Sequence, residues 1–348
     1  MGVTVKRKLN VLTTSSVRAY NTCKRLYRLS HDQGRRSVYT PEPMHFGGLV
    51  HRGLEAWWRA AGEGFAHGDW LRAAVDAFRD EPDPFQRARA SALMRAYHER
   101  WGDMTWDGRP ITVLAVEAEF HGPLINPATG AKSKTWTRAG KIDVVLDVGG
   151  DVNTLESKTT SEDIGPEAAY WAHKSIDPQV SNYHVGARML GFESTACIFD
   201  AIRKPAIKPL LATPDEDRKY TKPTKADPVP RLYSGQRERD ETPAEFGDRV
   251  YQAMQKPHML ARRELPRVEA TEVDSAADVW ATSTLIGFSK RLGLWPKDTD
   301  RCMNYGRACA FLPVCNGETT LEDASRYRAM LRAHEELSGE WEASTAAE

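Results

Sequence analysis

Asp143, Glu156 and Lys158 fall within one stretch, GKIDVVLDVGGDVNTLESKTTS, from Gly140 to Ser161. The stretch reads as two β-strands. Ile142, Val144, Val145, Leu146 and Val148 form the first, Gly149, Gly150 and Asp151 the turn, and Val152, Thr154 and Leu155 start the second. Asp143 interrupts the first apolar run, and Glu156 and Lys158 follow the second. Side chains two apart on a strand share a face, so Glu156 and Lys158 point the same way. If the strands pair, Asp143 reaches that face too. Converging carboxylates and an ammonium are costly unless something pairs them, and a divalent cation does. Phosphodiester hydrolysis has the same needs: a nucleophile aimed in line with the leaving group, and positive charge at the transition state. Two carboxylates suit Mg²⁺ or Mn²⁺, hard cations that take oxygen ligands. The backbone carbonyl of Ser157 would add a further oxygen, and Lys158 would orient the attacking water or neutralise developing charge.

Three more groups could join this chemistry. In GGLVHRGLE, His51 and Glu55 are one helical turn apart, and imidazole is an acceptable ligand for Mn²⁺. In QVSNY, Gln179 and Tyr183 are also one turn apart and could grip a phosphate or a base. Cys302, Cys309 and Cys315 form C-x6-C-x5-C, with Cys23 far upstream. A zinc ribbon prefers a C-x2-4-C knuckle at each end, which this spacing lacks. Three thiols in a loop-rich stretch plus a distant fourth suit a structural [4Fe–4S] cluster. Cys197, inside STACIFD, reads as a small buried hydrophobe.

The elements that must carry these residues alternate. Amphipathic helices are expected in SSVRAYNTCKRLYRLS, GGLVHRGLEAWWRAAGEGF, DWLRAAVDAFRD and DPFQRARASALMRAYHERWG. The strand ITVLAVEAEFHGPLI follows, with Glu117 and Glu119 on one face, then the two strands above. DPQVSNYHVGARMLG reads as a helix and STACIFDAIRKP as a strand. TPAEFGDRVYQAM reads as a helix, HMLARREL as an edge strand, and DSAADVWATSTLIGFSKRLG as a long helix. The expected fold class is α/β (α+β): a central mixed sheet flanked by helices. One domain spans 1–348, divided into a helical N-terminal part (12–110), a catalytic sheet core (111–211), a polar loop insertion (212–241), C-terminal helices with the cysteine cluster (242–316), and a surface helix with a tail (317–348).

Bulk composition narrows the class. The 348 residues carry 48 Lys+Arg against 48 Asp+Glu, so any basic surface is local rather than global. No apolar run reaches the ~18–20 residues of a membrane span and no signal-peptide core is present, so a cytoplasmic protein without membrane contact is expected. In such a compartment the five cysteines would bind metal, react or pack rather than form disulfides. Lys24, Arg25, Arg28, Arg35 and Arg36 could form a basic edge for phosphates. Arg203, Lys204 and the basic residues of 218–239 could form another. Trp57, Trp58, Tyr170 and Trp171 could stack on unpaired bases if they were exposed, but core packing is the expectation for most of them.

In order and jointly, these motifs resemble the RecB-type nucleases of the PD-(D/E)XK superfamily, whose core is restriction-endonuclease-like. They resemble most its iron–sulfur members: CRISPR-associated exonucleases, the AddB nuclease domain and phage-encoded relatives. CKRLYRL is similar to the first-cysteine helix, GLVHRGLE to the histidine motif, GKIDVV to G-x-x-D, LESKTT to E-x-K-T, QVSNY to Q-x-x-x-Y, and CMNYGRACAFLPVC to the terminal cysteine group. The resemblance spans about residues 15–316, although many relatives carry C-x2-C where this chain has C-x6-C. It implies His51, Asp143 and Glu156 as metal ligands and Lys158 as the catalytic lysine. Gln179 and Tyr183 would assist at the substrate phosphate, and Cys23, Cys302, Cys309 and Cys315 would hold the cluster. The implied activity is a Mg²⁺- or Mn²⁺-dependent DNA exonuclease acting on single strands or duplex ends. Recombination, replication or end processing would be its setting, with a partner protein from those pathways. The alternatives are an inactive DNA-binding scaffold on the same fold and a zinc-stabilised endonuclease. No G-x-x-x-x-G-K-[ST] is present, so no ATP motor is expected.

Overall fold

The computed structural model describes residues 9–223, 229–304, 307–332 and 334–338. The chain begins with β1 (Asn10–Leu12), α1 (Thr14–Thr22), α2 (Lys24–Tyr27) and β2 (Arg35–Ser37). Helices α3 (Glu42–Gly62), α4 (His67–Asp76) and α5 (Pro84–Trp101) follow. Next come β3 (Thr105–Trp106), β4 (Arg109–Ile125), β5 (Lys132–Val148) and β6 (Asp151–Thr160). The crossover α6 (Ala169–Ser175) and α7 (Pro178–Met189) leads to β7 (Ala196–Arg203), α8 (Pro243–Met254), β8 (Leu260–Pro266) and α9 (Glu269–Leu292). The C-terminal part holds β9 (Met303–Asn304), β10 (Arg307–Ala308), α10 (Leu312–Cys315) and β11 (Tyr327–Ala329).

The main sheet runs β3-β4-β5-β6-β7-β8, with β1 joining β5. β6 and β7 are parallel because α6 and α7 cross between them, whereas the hairpin-linked β4, β5 and β6 are antiparallel. The mixed sheet flanked by helices expected from the sequence is therefore present. β5 and β6 meet through a two-residue turn at Gly149 and Gly150, whose φ values of 63° and 102° suit glycine.

One sheet face packs on α3, α4, α5 and α8 around Trp57, Trp58, Leu93, Val144, Leu146, Leu155 and Ile198. The other face takes α6 and α7, with Phe120, Ile142, Val145 and Tyr183 in one cluster and Tyr170, Trp171, Val180 and Phe199 in the next. Trp57, Trp58, Tyr170 and Trp171 are thus core residues, each no more than 5 % exposed, and cannot stack on bases. Burying such large rings outweighs any gain from leaving them in water.

Two other expectations change. SSVRAYNTCKRLYRLS is not one helix, since Cys23 is extended (φ −163°, ψ 123°) and separates α1 from α2. Thr13 is the N-cap, in a capping box with Ser16. The surface helix expected in 317–348 is absent from the described residues of that segment, and β11 pairs there with β2. Tyr327 stacks on Phe311 at 5.4 Å between centroids, and burying that ring overrides local helix propensity. Residues 339–348 of that expectation, and 224–228 of the polar insertion, lie outside the described residues. The described part of the insertion folds back through a Tyr220–Leu232 bridge. No described helix is long and apolar enough to cross a membrane.

Candidate active site

The β5–β6 ladder pairs Val148 with Asp151 and continues to Val144 with Leu155, where it stops. Asp143 and Glu156 occupy the next positions. A backbone N–H that loses its ladder partner must find another acceptor. Here the Ser157 N–H donates to Oδ2 of Asp143 at 3.0 Å. The splayed end of the hairpin therefore fixes one carboxylate oxygen and opens a cleft between the strands. Ser157 is tied to Asp143 through its N–H, a bond that leaves open the expectation that its carbonyl adds a ligand oxygen.

Helix α7 closes the cleft from one side. Asp177 caps it by accepting from the Gln179 N–H at 3.0 Å, and Pro178 occupies the first turn. The Tyr183 hydroxyl donates to Oδ1 of Asp143 at 2.9 Å. The Gln179 amide donates to Oε2 of Glu156 at 3.0 Å and to the Tyr183 oxygen at 3.2 Å. This close approach depends on two glycines. A Cβ on Gly140, the glycine of GKID, would lie 2.7 Å from the Phe120 ring, and one on Gly186 of α7 would lie 2.3 Å from it. Phe120 fills both vacancies and lets the helix settle onto β5.

Helix α3 supplies the other wall. Its buried stripe of Phe46, Leu49, Val50, Gly53, Leu54 and Trp57 faces the core. His51 sits at the margin of that stripe, with Nε2 3.3 Å from Oδ2 of Asp143. On β4, Val116 pairs with Val144 and Ala118 with Ile142, which sets Glu117 opposite Asp143. Ligand atoms of His51, Glu117 and Asp143 all lie within 4.8 Å of one another. Glu117 is absent from the sequence-derived ligand set. The only early signal was an acid inside the apolar run LAVEAEF, and its alignment with Asp143 depends on hairpin register. Its φ of 53° is rare for a non-glycine residue, and such strain concentrates at functional sites. Glu119, expected on the same face, is engaged instead by Ser338 at 2.6 Å.

Glu156 is fully buried and is not part of that triad. Its carboxylate pairs with Lys158 and with Gln179. Burial, then the Asp143 charge, pushes Glu156 up to about 7, against the pull of Lys158. Asp143 moves the other way: burial opposes ionisation, but His51, Lys158 and the Ser157 N–H outweigh it. His51 rises to about 9, because Asp143 overcomes the effect of burial. Lys158 is raised as well, burial being outweighed by Glu156 and Asp143. Glu117 is pushed up by burial, with its Lys141 partner opposing. The donor set, imidazole plus carboxylate oxygens gathered at one point, fits a hard divalent cation.

The cysteines form a second locality. The Asp298 N–H points at Cys23 Sγ at 3.4 Å, and Cys302 Sγ lies 3.7 Å from the Asp298 carbonyl. The Cys309 N–H donates to the Cys302 carbonyl at 2.8 Å. Burial raises the Cys309 and Cys315 thiols, and each also feels Cys23 electrostatically. Among the described residues no three of these sulfurs lie within 4.8 Å of one another. Cys197 is fully buried. Of the expected basic edges, Arg25 donates to the Trp295 carbonyl and Arg36 to that of Ser30, while Arg203 pairs with Asp163 and Lys204 reaches the Pro43 carbonyl.

No curated protein matches the chain. Seven chains of solved structures do. One, titled "Crystal structure of SSO0001", is 14 % identical with a TM-score of 0.27, covering 80 % of this chain and 77 % of that one. The description of the PD-(D/E)XK nuclease superfamily matches residues 11–316. With that match over most of its length, and with its mixed α/β sheet carrying an Asp143, Glu156-x-Lys158 constellation at a splayed hairpin, the chain belongs to the PD-(D/E)XK nuclease superfamily.

Proposed function

We propose that the protein is a divalent-metal-dependent DNA nuclease of the RecB-type iron–sulfur branch, acting as an exonuclease on single strands or DNA ends. The observation that carries the catalytic part is the convergence of His51, Glu117 and Asp143 where the β5–β6 ladder stops. In this reading His51, Glu117 and Asp143 hold Mg²⁺ or Mn²⁺, and Glu156 contributes once Lys158 turns towards substrate. When bound, the ion supplies Lewis-acid stabilisation of the charge that develops on the phosphate. Lys158, held by Glu156, orients the attacking water and offsets negative charge at the reacting phosphorus. Tyr183 and Gln179 lock the two carboxylates in place. The protein is assayed on labelled DNA with Mn²⁺ or Mg²⁺. Cleavage that EDTA stops, and that Asp143→Asn and Lys158→Ala each remove in folded protein, is the expected result. Undiminished cleavage by both variants would refute the assignment.

The iron–sulfur part of the proposal rests on the cysteines. What supports a [4Fe–4S] cluster tying α1–α2 to the C-terminal segment is the set of four cysteines, Cys23, Cys302, Cys309 and Cys315, with Asp298 touching both Cys23 and Cys302. Anaerobically purified protein should contain iron and acid-labile sulfide, both lost in Cys309→Ala. Stoichiometric zinc in their place would favour the zinc-stabilised alternative.

A further inference from the structure

Beside the candidate active site lies a second cavity of about 340 Å³, between α1, α7 and β5. Its lining includes Thr13, Arg18, Arg138, Pro178, Asn182 and Arg301. Three cations therefore surround one small space. Arg138 on β5 is only 6 % exposed. Its Nε donates to Asn182 Oδ1 at 2.5 Å, and no described residue accepts from its two terminal nitrogens. Glu272, the acid nearest to it in effect, is taken by Arg188. Burial, and then Arg188, holds Arg138 below the usual arginine range, at about 10. A buried guanidinium whose acidic influence is already paired with another arginine is costly, and an anion seated against it lowers that cost. Arg18 already bonds Asp177 at 3.3 Å, but Lys174 holds the other oxygen of that carboxylate, so the pocket keeps an excess of positive charge.

The cavity's place in the fold indicates which anion. Pro178 and Asn182 line it, while Gln179 and Tyr183, one residue further along α7, hold the carboxylates of the active site. Arg138 precedes Asp143 by five residues on β5, roughly 16 Å at ~3.3 Å per residue. An internal phosphodiester carries a sugar on both sides and runs along a surface. To reach a guanidinium at the bottom of a pocket, the strand must end there. A terminal monoester is also the more highly charged group and presents more oxygens to a guanidinium fork.

We propose that this pocket, built by Arg138, Arg18 and Arg301, binds the terminal phosphate monoester of the DNA strand being processed, so that the enzyme reads the chemistry of the end. The inference rests on the DNA-nuclease reading but is tested separately from it. One oligonucleotide sequence is prepared with a 5′-phosphate, with a 3′-phosphate and with hydroxyls at both ends. Affinities for the full-length protein are measured in EDTA, and kcat/KM with Mn²⁺. One phosphorylated form should bind at least about tenfold more tightly than the hydroxyl-ended strand, which also tells which end is read. Arg138→Gln should collapse that ratio. Arg301→Ala, at the exposed mouth, should reduce it even if the buried substitution impairs folding. Equal affinity for all three strands, or a preference that survives both substitutions, overturns the pocket. A phosphate preference in EDTA without any metal-dependent cleavage keeps the pocket and refutes the nuclease reading.

Discussion

The Tyr183 hydroxyl donates to Oδ1 of Asp143 at 2.9 Å, while the Ser157 N–H takes the other carboxylate oxygen at 3.0 Å. The helix and the neighbouring strand thus grip one carboxylate from two directions. A ligand oxygen of that carboxylate lies within 4.8 Å of ligand atoms of both His51 and Glu117. Removing one grip leaves the residue present but loosely aimed. Tyr183→Phe should lower kcat/KM by about 10- to 100-fold with little change in thermal stability, as measured on labelled DNA. Unaltered kinetics would mean that α7 is only scaffolding.

Glu117→Gln keeps size and polarity but removes a charge. It should weaken divalent-metal binding at least about tenfold, read by calorimetry, and should leave Lys141 without its partner. Metal affinity equal to the parent's would exclude Glu117 from the ligand set.

His51 gives the metal-free protein a defined pH response. Its pKa rises from 6.5 to about 9 because Asp143 favours the imidazolium. The resulting stabilisation is fully present below 6.5 and is lost as pH rises through about 9. A cation needs the neutral ring, so metal binding must expel that proton. Apparent metal affinity should therefore increase steadily from pH 6 to about 9. Calorimetry in buffers of different ionisation enthalpy should show proton release at pH 7, and His51→Asn should reduce that release.

Gly186 admits the Phe120 ring against α7. Gly186→Ala forces the helix outward or the ring out of its rotamer, at a cost of about 1–3 kcal/mol in urea unfolding. Because α7 also aims Tyr183, cleavage should fall further than thermal stability alone explains. A variant with parental stability and rate would show that the contact relaxes freely.

Arg262 and Asp200 form an ion pair at 3.2 Å, essentially without solvent, and Tyr97 joins it by donating to Asp200 at 2.6 Å. The guanidinium stacks 4.1 Å from the Trp101 ring centroid. Asp200 lies beside Ser157 in the parallel register, so this group props the strand that carries Glu156 and Lys158. Asp200→Asn leaves a buried charge uncompensated and should cost about 3–5 kcal/mol of stability. The double variant Asp200→Leu/Arg262→Met should lose less than the sum of the two single changes, measured by denaturant unfolding.

Much of the site could be read along the chain because its spacing is local. The Gly149–Gly150 turn, the two-residue step from Glu156 to Lys158 and the four-residue step from Gln179 to Tyr183 follow from the periods of strand and helix. Cys23 was harder to place, since nothing in SSVRAYNTCKRLYRLS marks the extended residue that splits the helix. Trp57 and Trp58 look the same on paper whether they stack on bases or fill a core.

By itself, the amino-acid order determined the helix and strand alternation, the hairpin that bears Asp143 and Glu156, and the helix that bears Gln179 and Tyr183. Tertiary structure alone decided that Glu117 stands opposite Asp143, that the ladder stops beneath that pair, and that Arg138 is buried against Asn182 while the acid that acts on it, Glu272, pairs with Arg188. The reason is physical. Periodicity is set by bond geometry within a few residues, whereas register, splay and charge burial depend on which distant side chains, such as Phe120 against Gly140 and Gly186, occupy the same space.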